Sequence, residues 1–281
     1  MFTRCRDFLL LAFSIVITLP AAIFAAQPHT GHEDHDAHAD HSHADPLHFS
    51  HPLVTESPLP ENEARLQFSF ANLPGDEGDE FSLTGNVEFA LLRWWSIELA
   101  VPMTHLNPDA APTQTRLGDL SLGFKFATFA FQDQGLLLSA GIELILPTGN
   151  EERAIGSDHL LELEPWLGLG YKRDRFEFIA RLALAIPTNT NGNDEPDAEI
   201  EWATSLLYHL IDDQLAALIE LDGQHPFGGE EDGYSSLAIT PGLRFSPFHN
   251  PDLSFGVGIR LPLTTDRDSH VQVICTVFFH F

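Results

Sequence analysis

Cysteine is almost missing from this chain. Of 281 residues only Cys5 and Cys275 are cysteines, and Cys5 precedes the N-terminal apolar stretch. With that stretch removed a single thiol remains, which excludes an intramolecular disulfide. Basic residues are scarce too: 14 Lys and Arg stand against 41 Asp and Glu, for a formal net charge of −27. Such a chain repels nucleic acid and anionic lipid surfaces and draws cations. Beyond the N-terminus no segment approaches the ~18 uninterrupted apolar residues of a spanning helix. Membrane-crossing helices are excluded; strands are not.

What is present begins with an address. Arg4 and Arg6 precede an apolar stretch from Phe8 to Pro20, and small residues follow at Ala21, Ala22, Ala25 and Ala26. This pattern predicts a signal peptide over residues 1–25, cut after Ala25. Residues 26–62 then read as a polar, histidine-rich tail poor in core-forming side chains, expected to be disordered and periplasmic.

From about residue 64 the hydrophobic period becomes two. Phe176, Phe178, Ala180, Leu182, Leu184 and Ile186 are apolar, with Glu177 and Arg181 between them. Leu215, Ala217, Ile219 and Leu221 alternate in the same way with Gln214, Glu220, Asp222 and Gln224. Twelve such segments follow one another, at 64–72, 82–92, 95–103, 117–128, 134–146, 158–171, 175–186, 198–210, 213–224, 234–246, 251–262 and 269–281. Short and long connections alternate between them. Pro102, Pro147, Pro187, Pro226 and Pro262 end successive upward strands, where a residue without an N–H fits. Tyr171, Tyr208, Phe245, Phe281 and Trp95 fall near the short-turn strand ends, as an interfacial girdle would. The C-terminal stretch places Val271, Val273, Cys275, Val277, Phe279 and Phe281 on one parity. A terminal Phe of this kind resembles the signal read by the barrel-insertion machinery. The expected fold is all-β: a transmembrane antiparallel up-and-down β-barrel of 12 strands over 63–281, in the outer membrane of a Gram-negative bacterium. Both termini are expected in the periplasm. A soluble β-sandwich alternates too, but twelve long regular strands suit it poorly.

Two stretches, Gly118-Asp119-Leu-Ser-Leu-Gly-Phe-Lys125-Phe126 and Leu146-Pro147-Thr148-Gly149-Asn150, resemble motifs of the outer-membrane transporter family named for the MetA pathway of phenol degradation. Leu167-Gly168-Leu169-Gly170-Tyr171-Lys172 suits the strand that follows them there. The resemblance spans roughly residues 60–281. It implies an outer-membrane barrel with a transport role and leaves the cargo open, because the histidine tail is no part of that pattern.

Three groups of residues could carry chemistry. In the tail, His29, His32, His35, His38 and His41 recur every third residue, and His43, His48 and His51 follow. An extended polyproline-II chain has three residues per turn, so the first five imidazoles share one edge. Imidazoles among carboxylates suit zinc, copper or nickel, and would release the metal on mild acidification. The second group is the polar strand face, which by parity lines a lumen. It holds Glu88, Glu98, Asp119, Glu143, Glu162, Glu164, Glu177, Glu199, Glu201, Glu220 and Asp222, against Arg65, Lys125, Arg181, Arg244 and Arg260. A water-filled lumen of this composition favours cations, whereas ion pairing such as Arg181 with Glu164 and Glu201 would fill it. Third, acidic outer loops (Asp76 to Glu80, Glu151 and Glu152, Asp194 to Asp197, Glu230 to Asp232) could bind calcium or magnesium against lipopolysaccharide.

An enzyme is not expected. Barrel phospholipases need Ser and His together on the lipid face, and no Ser shares that parity beside His209 or His270. The predicted function is transport of small solutes or metal cations, with a metal-binding tail. The alternatives are a membrane-anchored metal binder without transport, or a structural or adhesive surface barrel. Expected partners are outer-membrane lipid and lipopolysaccharide, the insertion machinery and metal cations, and no nucleic acid.

Overall fold

A computed structural model describes residues 47–153, 155–188, 196–212, 214–229, 232–247 and 252–281. The signal peptide and the six histidines from His29 to His43 lie outside the described residues.

Alternating side chains make strands throughout: β1 (Glu63–Asn72), β2 (Asp79–Leu92), β3 (Trp95–Asn107), β4 (Gln114–Leu117), β5 (Leu120–Thr128), β6 (Leu136–Leu146), β7 (Leu161–Arg173), β8 (Phe176–Thr188), β9 (Ala198–Ile211), β10 (Leu215–Phe227), β11 (Ser236–Phe245), β12 (Leu253–Pro262) and β13 (Val271–His280). Each is antiparallel to its neighbours, and β1 pairs with both β2 and β13, so the sheet closes on itself. β4 and β5 are two pieces of one crossing, parted at Gly118-Asp119, so the barrel has twelve strands as the periodicity predicts.

Burial follows the alternation. On β8, Phe176, Phe178, Leu182 and Leu184 face outward and exposed, while Glu177, Ile179, Ala183 and Ala185 are buried within. Large apolar side chains cover the outside of other strands too, among them Phe89, Leu99, Leu167, Leu206, Ile219, Leu243 and Val257. A continuous apolar belt is unstable in water and stable against hydrocarbon, which decides for a membrane barrel over a sandwich. At the short-turn rim Phe89 meets Phe281, Phe176 meets Tyr208, and Trp95 stacks on Phe126, giving the aromatic girdle.

One expectation is corrected. Residues 47–62, read as the end of a free tail, are folded inside the barrel. Phe49 and Leu53 are fully buried in one cluster with Leu137, Ile179, Leu207, Leu218 and Ile274. All five wall residues have inward parity, and Leu137, Ile179, Leu207 and Leu218 lie in the half of the barrel nearer the short turns. An apolar patch inside a wet lumen needs a cover, and the chain's own N-terminal segment supplies it.

Candidate functional site: a plugged lumen and its mouth

Residues 47–62 contain Pro52, Pro58 and Pro60 and form neither helix nor strand, so their backbone N–H groups need side-chain acceptors. The lumen wall provides them. The Glu220 carboxylate, 0 % exposed, accepts from the N–H of Leu53 (2.7 Å), Val54 (3.1 Å) and Thr55 (2.7 Å). Glu177, equally buried, accepts from Ser50 N–H at 2.7 Å and meets Lys172 and His209, each at 2.8 Å. Arg244 donates to the His51 carbonyl at 3.0 Å, and Lys172 to that of His48 at 2.9 Å. Wall glycines make room: a Cβ at Gly256 or Gly258 would overlap Leu53, and one at Gly170 would overlap Phe49.

At the top of the plug, Glu56 binds Lys125 (2.9 Å) and Arg181 (3.3 Å). Burial raises the Glu56 carboxyl, but Lys125 and then Arg181 outweigh it and hold it below the ordinary carboxylate range. Lys125 also binds Glu88, and Arg181 also binds Glu143 and Glu164. The pairing of Arg181 with Glu164 expected from strand adjacency is therefore present, with the plug's own carboxylate added to it.

Above Glu56 the lumen opens into a cavity of about 250 Å³. Val54 and Glu56 form part of its lining, with Glu98, Glu143, Glu201 and Asp222 opposed only by Arg65 and Arg181. Toward the long loops, a wider vestibule of about 710 Å³ is lined by Asp76, Glu77, Glu80, Glu151, Glu152 and Asp268, with Arg260 the single cation in that lining. Arg260 binds Asp222 at 2.8 Å, so this ion pair stands between the two spaces. Glu162 lies beside Glu164, Glu199 and Glu201 on the same inner face.

Asp119 departs from its expected role as a lumen group. It sits in the break between β4 and β5, where its carboxylate accepts from the N–H of Thr148 (3.0 Å), Gly149 (2.7 Å) and Ser157 (2.7 Å). Leu120 N–H donates to Thr148 Oγ1 at 2.9 Å. The Gly-Asp and Leu-Pro-Thr-Gly motifs thus meet as a joint that ties the 147–157 loop to the barrel wall. Gly149 is needed there because a Cβ would lie 2.5 Å from the Ile155 carbonyl oxygen and 2.7 Å from Gly156 Cα, both backbone atoms.

At the short-turn mouth, sequence reasoning found His48 and His51 but missed their neighbours Glu61, Glu63 and His280. Burial lowers the His51 imidazole below its ordinary value, against the opposing pull of Glu63 and Glu61. The missed residues carried a signal: Glu63 opens β1, and His280 has inward parity on β13, directly across from it.

The family described as “Putative MetA-pathway of phenol degradation” matches residues 79–270. The chain belongs to that family. No curated protein sequence matches this family member. Its fold is shared by the COG4313 outer membrane channel from Pseudomonas putida F1, at 10% identity over 81% of this chain and 97% of that one, with a TM-score of 0.63. It is similar also to the NanC porin (11% identity, 77% and 98% covered, TM-score 0.53) and the KdgM porin (9%, 78% and 99%, TM-score 0.50). At these identities the likeness is one of fold, that of an outer-membrane barrel.

Proposed function

We propose that this family member is a cation-preferring outer-membrane channel for small polar solutes, whose conductance is limited by its own segment 47–62. The observation that carries the reading is the series of two net-acidic spaces, vestibule then cavity, that ends on the plug. Carboxylates in a low-dielectric bore repel anions and concentrate cations. The family's transporter association and the resemblance to proteins named as a channel and as porins support it. The short-turn end, where β1 begins and β13 ends, is assigned to the periplasm, since barrels of this class carry short turns there. Reconstituted into planar bilayers under a salt gradient, the protein should show small, cation-selective steps. No current at any voltage, from either the intact chain or a variant with a loosened plug, would sink the channel reading.

A second reading has its own support. The plug fills the short-turn half of the lumen, so the barrel could anchor a metal-binding segment and pass nothing. In that case the histidines from His29 to His43 capture zinc, copper or nickel as their spacing predicts. Deleting residues 27–43 should then remove most metal equivalents and leave conductance unchanged.

A further inference from the structure

Four side chains meet where the plug leaves the lumen. His51 and Glu61 belong to the plug, Glu63 is the first residue of β1, and His280 is the last of β13. One ligating atom from each lies within 4.8 Å of every other. His51 Nε2 stands 2.9 Å from Glu61 Oε2, and His51 Nδ1 stands 3.1 Å from Glu63 Oε2. The His51 and His280 rings are 4.9 Å apart between centroids. His48 Nδ1 lies 2.8 Å from the other Glu61 oxygen and holds that carboxylate from outside.

His51 Nε2, Glu61 Oε2, Glu63 Oε2 and His280 Nε2 are all buried without a well-aligned hydrogen bond among the described residues, and the His51 nitrogens meet Glu61 and Glu63 only as close polar contacts. His51 and Glu63 are only 3 % and 6 % exposed. Elsewhere in the lumen buried carboxylates find N–H groups or cations, as Glu220 and Glu177 do. Arg244 is close enough to serve here, yet its donors go to the His51 carbonyl and to Ser254 Oγ. A neutral His51 carries one N–H and can donate to only one of the two carboxylates it touches, so a buried negative charge is left at this cluster unless a cation sits there.

We propose that His51, Glu61, Glu63 and His280 form a binding site for a divalent transition ion of the zinc type, and that the bound ion latches the plug to the barrel seam. Two imidazoles with two carboxylate oxygens is a donor set that zinc accepts in a tetrahedron, and imidazole ligands disfavour calcium and magnesium. Bonds of ~2.0–2.2 Å place ligand atoms roughly 3.4 Å apart, so side chains already within 4.8 Å need only a small contraction. His48 on the far oxygen of Glu61 is the outer partner such ligands usually have. Glu63 and His280 are directly paired across β1 and β13, so the ion would bridge the plug to the point where the first and last strands join. The site itself does not depend on the channel reading; only the consequence, a metal-controlled plug, rests on it.

The test uses the full chain, stripped with a chelator and titrated with Zn²⁺ by calorimetry, beside Glu61→Gln, Glu63→Gln and His280→Ala. Each variant keeps the histidines from His29 to His43, so those equivalents form a constant background. The expected result is one tight equivalent in the parent that weakens at least tenfold in each variant, with Zn²⁺ protecting residues 47–62 from protease in the parent alone. Heat-modifiable migration confirms folding, and Glu61→Gln, which leaves the strands untouched, covers failure of the His280 variant to insert. Equal stoichiometry and affinity in all four proteins would overturn the site. Bilayer recordings separate the two readings: Zn²⁺ should reduce current in the parent and not in the variants. Loss of the tight equivalent with no current in any protein would leave the metal site standing and remove the channel.

Discussion

The two halves of the lumen are built from the same alternating strands and solve opposite problems. Near the short turns the inner face mixes Leu137, Ile179, Leu207 and Leu218 with single buried charges, and each charge is matched to an atom of the plug. Near the long loops the inner face is carboxylate-rich, and cavities of about 250 and 710 Å³ keep it wet. Charge alone therefore does not decide whether a barrel is open. The apolar residues admitted to the inner parity decide it, because they create a surface that only another part of the chain can cover.

That contrast can be broken from the plugged side with the largest effect. Glu220→Ala leaves the buried N–H groups of Leu53 and Thr55 without their acceptor, at about 1–3 kcal/mol each, and the half-buried one of Val54 as well. The plug should unseat, and bilayer conductance should rise at least tenfold while the barrel stays heat-modifiable. Unchanged conductance would mean that the plug does not limit flow. Leu53→Ala removes the apolar half of the anchorage, at ~2–5 kcal/mol, and should make residues 47–62 accessible to protease without altering selectivity.

A gentler prediction concerns acid. Lys125 and Arg181 keep the Glu56 carboxyl below its ordinary value, so its contribution to plug seating is fully present above the unfolded value of about 4.3. It is lost as pH falls through the lower folded value. Conductance should hold steady from neutral pH to about 5 and rise only in stronger acid, and Glu56→Gln should raise the neutral value and flatten that rise. The smallest effect belongs to the open half: Glu201→Gln should shift the reversal potential modestly toward lower cation preference, with protease protection of the plug unchanged.

Much of this architecture was legible because a period of two needs no tertiary knowledge. Strand count, inward and outward faces, the girdle and the family motifs all followed from alternation and turn placement. The break at Gly118-Asp119 was less visible, since Asp119 keeps inward parity while its carboxylate serves a loop 30 residues away. The plug escaped because proline-rich, polar composition reads as solvated chain, and the acceptors of the Ser50 and Leu53 N–H groups lie 127 and 167 residues downstream. The inward-parity leucines and isoleucines were the available clue. His48 and His51 were recognised by type, but Glu61, Glu63 and His280 join them only when β1 and β13 pair.

Asn62 runs straight into β1, with its carbonyl accepting from Phe281 N–H at 3.1 Å and its side chain from Ala90 N–H at 3.0 Å. A displaced plug is therefore still covalently held at the mouth it came from. Its return is a first-order event, with a local concentration of order millimolar that does not change when the protein is diluted. A free peptide of the same sequence, added at micromolar levels, would meet a competitor about a thousandfold more concentrated than itself. Opening would then be brief and repeated, ended by the chain's own tether.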